Sequence, residues 1–201
     1  MRNHYLISIK SKRRKSSAFT LIELLIVIVI IAILASVAFP VTALVMEQAR
    51  RSEANNEVKQ IANAISSYEL EYSKLPFPPA NGGEGDLEMN TFDGNMISIL
   101  SGYNVDGLNP RKKPFYTGKR AKGAKTSKKP TSGVFGTDEQ LQLADPWGRQ
   151  YYIKIDSNYD NILEDLPGAE DEVVRQMVAV WTKGKMKDQE ELPKNKWIKS
   201  W

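Results

Sequence analysis

Few side chains in this 201-residue chain are placed to do chemistry, and the first is a lone acid. Glu23 is the only charged residue between Phe19 and Val45, beside twelve consecutive apolar residues from Leu24 to Ala35. A carboxylate in hydrocarbon costs a few kcal/mol unless it is paired or held at the interface, so Glu23 needs a partner. A second group of oxygens lies in Asp156-Ser157-Asn158-Tyr159-Asp160-Asn161, where Asp156, Asn158 and Asp160 alternate as at the start of an EF-hand calcium loop. The sixth position is Asn161 instead of glycine and the twelfth is Pro167 instead of glutamate, so a polar hairpin turn is the simpler expectation. The Gly82, Gly83 and Gly85 loop lacks the following Lys-Ser/Thr of a phosphate cradle. Nucleophilic and soft-metal chemistry have little to draw on: cysteine is absent, and the single histidine, His4, lies in the basic N-terminal stretch. No catalytic residue is assigned and an enzyme is not expected.

The segment that positions Glu23 is Phe19 to Met46. At a rise of ~1.5 Å per residue it is long enough to cross a ~30 Å hydrocarbon core. Upstream, Met1 to Ala18 holds six Lys/Arg and no acid, which by the positive-inside rule places it in the cytoplasm and everything beyond Met46 outside. Without that stretch the chain has 22 basic and 24 acidic residues, so the net charge of +4 is a property of the N-terminus and nucleic acid is not an expected partner. An ordinary signal peptide cut after Ser36-Val37-Ala38 competes with this view, but the apolar run is long and contains an acid.

Lys12-Arg13-Arg14-Lys15-Ser16-Ser17-Ala18, followed by Phe19-Thr20-Leu21-Ile22-Glu23-Leu24 and a long apolar helix, resembles the type IV prepilin N-terminus. Asp145-Pro146-Trp147-Gly148, Trp181-Thr182-Lys183-Gly184 and the closing Trp197-Ile198-Lys199-Ser200-Trp201 are similar to the major pseudopilins of type II secretion. The resemblance implies cleavage by a prepilin peptidase between Ala18 and Phe19 and N-methylation of Phe19. It implies that Glu23 pairs with the Phe19 amine of a neighbouring subunit. The implied partners are other copies and other pseudopilins in a filament, the peptidase and an inner-membrane assembly platform. The implied location is the inner membrane, crossed once, with the C-terminal domain periplasmic. Ala18 departs from the glycine usual before the cut.

A type IV pilus subunit acting in adhesion, motility or DNA uptake is the alternative within this class. A signal-anchored periplasmic binding module or enzyme is the alternative outside it. The resemblance also implies calcium in the loop before the C-terminal tryptophan. Here Gly184 to Glu191 carries Lys185 and Lys187 where carboxylates are expected, leaving Asp188, Glu190 and Glu191, and no cofactor is expected.

The fold expected is α+β: a long N-terminal helix, kinked at Pro40 and packed by its second half on a small antiparallel sheet. The segments are a leader (1–18), a transmembrane and filament-core helix (19–46), an amphipathic helix (47–80), a variable insertion (81–143) and a C-terminal sheet region (144–201). Val58, Ile61, Ile65, Tyr68, Tyr72 and Leu75 recur at helical spacing, opposite Glu53, Glu57, Lys59 and Asn63, before Pro76 ends the pattern. Asn90 to Leu100 suits a short second helix. The nine bases between Arg111 and Lys129 have no acid among them and are expected to form a solvated insertion rather than a docking surface. Asp145-Pro146-Trp147-Gly148 is a strong turn, with strands expected over Arg149–Ile155 and Val173–Trp181.

Overall fold

A 52-residue helix, α1 (Leu21–Tyr72), opens the fold. The computed structural model describes residues 19–77, 85–122, 130–170, 172–186 and 190–201, with the side chains of 37–41 outside the described set. The kink expected at Pro40 falls among those side chains. The chain divides into two compact units, Met1–Val45 and Met46–Trp201. In the first, the large apolar side chains from Phe19 to Leu34 are all exposed, between 46% and 88%. Among the described residues, no other part of that unit covers them.

In the second unit the helical spacing does its expected work. Val58, Ile61, Ile65 and Tyr68 are fully buried, and each aliphatic member contributes roughly 1.5–3 kcal/mol by leaving water. The helix stops at Tyr72, one turn before Leu75, because Ser73 turns left-handed at φ 50° and its N–H bonds the Glu69 carbonyl at 2.7 Å. Leu75 is buried nonetheless, from outside the helix.

The remaining elements are β1 (Leu87–Asn90), α2 (Met96–Leu100), β2 (Gly133–Thr137), β3 (Gln140–Ala144), β4 (Tyr152–Ile155), β5 (Val178–Thr182) and β6 (Ile198–Lys199). Strands order as β1-β4-β5-β6 in one antiparallel sheet, and β2-β3 form a separate hairpin. Alternation along the strands gives the sheet two buried faces. Ile153, Ile155, Val178 and Val180 join the α1 residues in the main core. Ala179 and Trp181 point the other way and pack with Leu163, Leu166 and Ala169 from the long β4–β5 connection. The α+β architecture is the expected one, a long N-terminal helix followed by small antiparallel sheets.

Residues 87–144 supply the edge strand β1, the helix α2 and the β2–β3 hairpin. Two elements differ from expectation. The second helix shrinks to Met96–Leu100 because Asn90 Oδ1 accepts from the N–H groups of Phe92 and Asp93, a side-chain turn that displaces helix there. Finally, β5 begins at Val178, since Val174 instead bridges Leu163 in the connection.

Candidate functional site

At the N-terminus, Thr20 and Glu23 cap α1 together. Glu23 Oε2 accepts from Thr20 N–H and from Thr20 Oγ1, both at 2.8 Å, while Glu23 N–H donates to Thr20 Oγ1 at 3.3 Å. This is a capping box, satisfying donors that the first turn leaves without helical partners. Thr-x-x-Glu ahead of an apolar run spells that device in sequence. The carboxylate thus rests against the helix start, four residues along from Phe19. Ala18, on the other side of the expected cleavage site, lies outside the described residues. Among the described residues no helix is long and apolar enough to cross a membrane; the expected 19–46 span includes the undescribed side chains of 37–41.

Where it is described, the basic segment keeps its charged side chains exposed, as expected, and is tied to α1. Arg111 and Lys113 reach the two oxygens of Glu71 at 2.5 and 2.6 Å, and Lys119 pairs with Glu53. Such exposed pairs contribute about 0–1 kcal/mol each, so they do not hold the segment down by themselves. Buried Asn109 does more. Its Nδ2 donates to the carbonyls of Ile99 and Lys113, and its Oδ1 accepts from Lys113 N–H and the Tyr72 hydroxyl. The Tyr68 hydroxyl donates to the Leu108 carbonyl. Residues 108–119 therefore form a strap along α1, while 123–129 lie outside the described residues.

Under that strap the Tyr116 hydroxyl donates to Glu57. Burial is the main cause pushing the Glu57 carboxyl above its ordinary 4.5; Glu53 adds to the rise, and the Tyr116 bond and Lys119 oppose it. A carboxyl raised by folding binds its proton more tightly in the folded state, so stability falls as pH climbs from the ordinary value through the raised one. Glu57→Gln should remove that decline: thermal melts of variant and parent coincide below about pH 4.5 and separate above it, the variant being the more stable. Parallel melting curves at every pH would refute this.

The Asp145-Pro146-Trp147-Gly148 turn is built around a buried carboxylate. Asp145 Oδ1 accepts from the N–H groups of Trp147 and Arg149 at 2.9 and 2.7 Å, and Oδ2 from the Thr182 hydroxyl at 2.7 Å. Gly148 takes φ 79°, where a side chain would be strained. Burial pushes the Asp145 carboxyl up against the pull of these three donors and the Arg149 charge. The turn thereby ties the β3–β4 connection to β5.

Beyond β5, two cations converge on Glu191: Lys183 Nζ at 2.7 Å and Arg149 Nη2 at 3.2 Å. The Lys183 contact is the main cause holding the Glu191 carboxyl below its ordinary value. Lys183 also sits over the rings of Tyr152 and Trp197. Glu191, one of the three carboxylates of this loop, is thus neutralised by the chain's own charges and is poorly suited to a calcium ion. Asp188 lies outside the described residues and Glu190 is exposed. In the other oxygen-rich stretch, Asp156 Oδ2, Asn158 Oδ1 and Asp160 Oδ1 accept from Asn161, Asp160 and Ile162 N–H groups, respectively, which makes it a polar turn. Among the described residues no three His, Asp or Glu side chains are grouped to hold a metal ion.

The family model described as the prokaryotic N-terminal methylation motif matches residues 13–39. The chain is similar to the Type II secretion system core protein G of Pseudomonas aeruginosa, with 38% identity over 65 residues, covering 32% of this chain and 46% of that protein. The proteins of the same name from Aeromonas hydrophila and Vibrio cholerae serotype O1 are 35% and 37% identical over 65 residues, covering 32% of this chain and 46% and 44% of theirs. The matched stretch thus spans under half the length of each of these relatives. No solved structure matches the chain.

Proposed function

We propose that this chain is a structural subunit of a type II secretion pseudopilus, processed at Phe19 and assembled through its N-terminal helix. The observation that carries this is the exposed run from Phe19 to Leu34, whose large apolar side chains are not covered by any of the described residues of their own unit. In water such a surface is unfavourable by roughly 25 cal/mol per Å², so it must be covered by lipid or by other copies. In the proposed cycle it is covered by both in turn: lipid before assembly, neighbouring helices after. Cleavage before Phe19 creates an amine, and Glu23 of an adjacent copy neutralises it, fixing how far one helix sits along the next. The peptidase, the inner-membrane platform and the periplasmic placement of the second unit follow from this cycle.

N-terminal sequencing and mass measurement of the mature protein test it. Phe19 carrying one methyl group is the expected result; a chain starting at Phe39 indicates ordinary secretion, one starting at Met1 a plain anchor, and either overturns the proposal.

A further inference from the structure

We propose that the second units of successive copies join head to tail, Lys185 and Met186 of one copy entering an acid-rimmed groove beyond the end of α1 in the next. The inference rests on the pseudopilus reading above and names a contact for it. The groove has a volume of 310 Å³. Half-buried Phe77 and Met89 and buried Met96 and Leu108 give it an apolar lining, and Asp93 and Asp106 are the only charged residues that line it. Asp93 accepts from the neutral Asn90 amide at 2.5 Å, and exposed Asp106 has no ion-pair partner among the described residues, so neither carboxylate is matched by a cation.

Charge selects the occupant. Among the described residues, the exposed large apolar side chains of this unit are Met46, Leu70, Tyr159, Val173 and Met186. The first four each adjoin an acid, at Glu47, Glu69, Asp160 and Glu172, which the carboxylates of the groove repel. Met186 follows exposed Lys185 and adjoins no acid. Its unbranched thioether suits an irregular apolar gap, and the ammonium beside it complements the rim. A copy cannot fill its own groove. Gly184 sits beside the Trp147 ring, whose Nε1 donates to Glu47 where α1 enters this unit. Leu108, in the groove, is held by its carbonyl to the Tyr68 hydroxyl, near the other end. Glu47 and Tyr68 lie on one helix, about 30 Å apart along it. A projection at one end and a matching recess at the other make a heterologous contact, the kind that builds an open filament when its rotation does not close.

The absence of cysteine allows a cross-linking test on the full chain, produced in its host and oxidised in sheared filaments. Asn95 lines the groove and makes no side-chain capping bond to α2, so Asn95→Cys should leave the fold as it is. Asn95→Cys with Met186→Cys in one chain should give a ladder of disulfide-linked dimers, trimers and longer species, because a bond within one copy needs Cα atoms within about 7 Å of each other. Each single variant should stay monomeric. Lys185→Glu should weaken the ladder by roughly tenfold or more through like-charge contact. Adding Asp93→Lys and Asp106→Lys should restore it, a rescue that a purely structural role does not give. A ladder that Lys185→Glu leaves unchanged overturns the proposal. Dimers from Met186→Cys alone overturn it in favour of a two-fold contact, and a link from Asn95→Cys to a different protein overturns it in favour of another partner. Filaments that sediment without a ladder refute this contact and leave the pseudopilus reading standing; a chain that forms no filaments overturns both.

Discussion

On the proposed function, Glu23→Ala is expected to lower incorporation of this chain into filaments by roughly 30-fold or more, while membrane insertion and the fold of the second unit stay as they were. The size follows from leaving a charge buried and unpartnered, which costs on the order of 2–5 kcal/mol. The cap described above supplies the necessary control, because Glu23 also accepts two hydrogen bonds from Thr20. Losing a cap costs about 0.5–2 kcal/mol. Thr20→Ala removes the hydroxyl half of the cap and keeps the carboxylate, so it should reduce assembly far less than Glu23→Ala. Counting filament-borne subunits by sedimentation of sheared material measures both. Equal losses would assign Glu23 to capping alone and end its role in pairing.

Asp145→Ala has the largest expected effect on the second unit itself. It strands the Thr182 hydroxyl in a fully buried place and the Trp147 and Arg149 N–H groups in a half-buried one. Unmet buried donors cost about 1–3 kcal/mol each, so a total near 3–5 kcal/mol is expected. For a unit of this size that lowers the melting temperature by roughly 10 °C. Asp145→Asn keeps one acceptor oxygen for the two N–H groups and should recover part of the loss. A melting temperature for Asp145→Ala within a degree or two of the parent would show that the turn holds without its carboxylate.

Local features were the legible ones. The 3-and-4 spacing of Val58, Ile61, Ile65 and Tyr68 named the buried face of α1 correctly because a helix repeats on that scale. Asp145 to Gly148 announced its turn through residue types whose preferences act over four positions. The Thr20–Glu23 cap was equally local and could have been read from its spacing, but the exceptional position of Glu23 in an apolar run pointed to a distant partner first. What could not be read was pairing across long separations. Nothing around Arg111, Lys113 or Lys119 shows that their partners are Glu71 and Glu53, 40 to 66 residues earlier. Asn109 looks like a loop residue until the surrounding carbonyls of Ile99 and Lys113 are seen. The convergence of Lys183 and Arg149 on Glu191 likewise depends on a turn and a strand being brought together by Asp145.

The C-terminal segment closes contacts that begin very early in the chain. Arg51 bonds the Lys196 carbonyl, Ser200 N–H bonds the Val180 carbonyl, and Trp201 meets Trp181 edge-on. None of these can form until residues 196–201 have been made. Closure over such separations is slow compared with helix formation. Ile198, which joins the α1 stripe in the main core, is therefore among the last of its members to be placed.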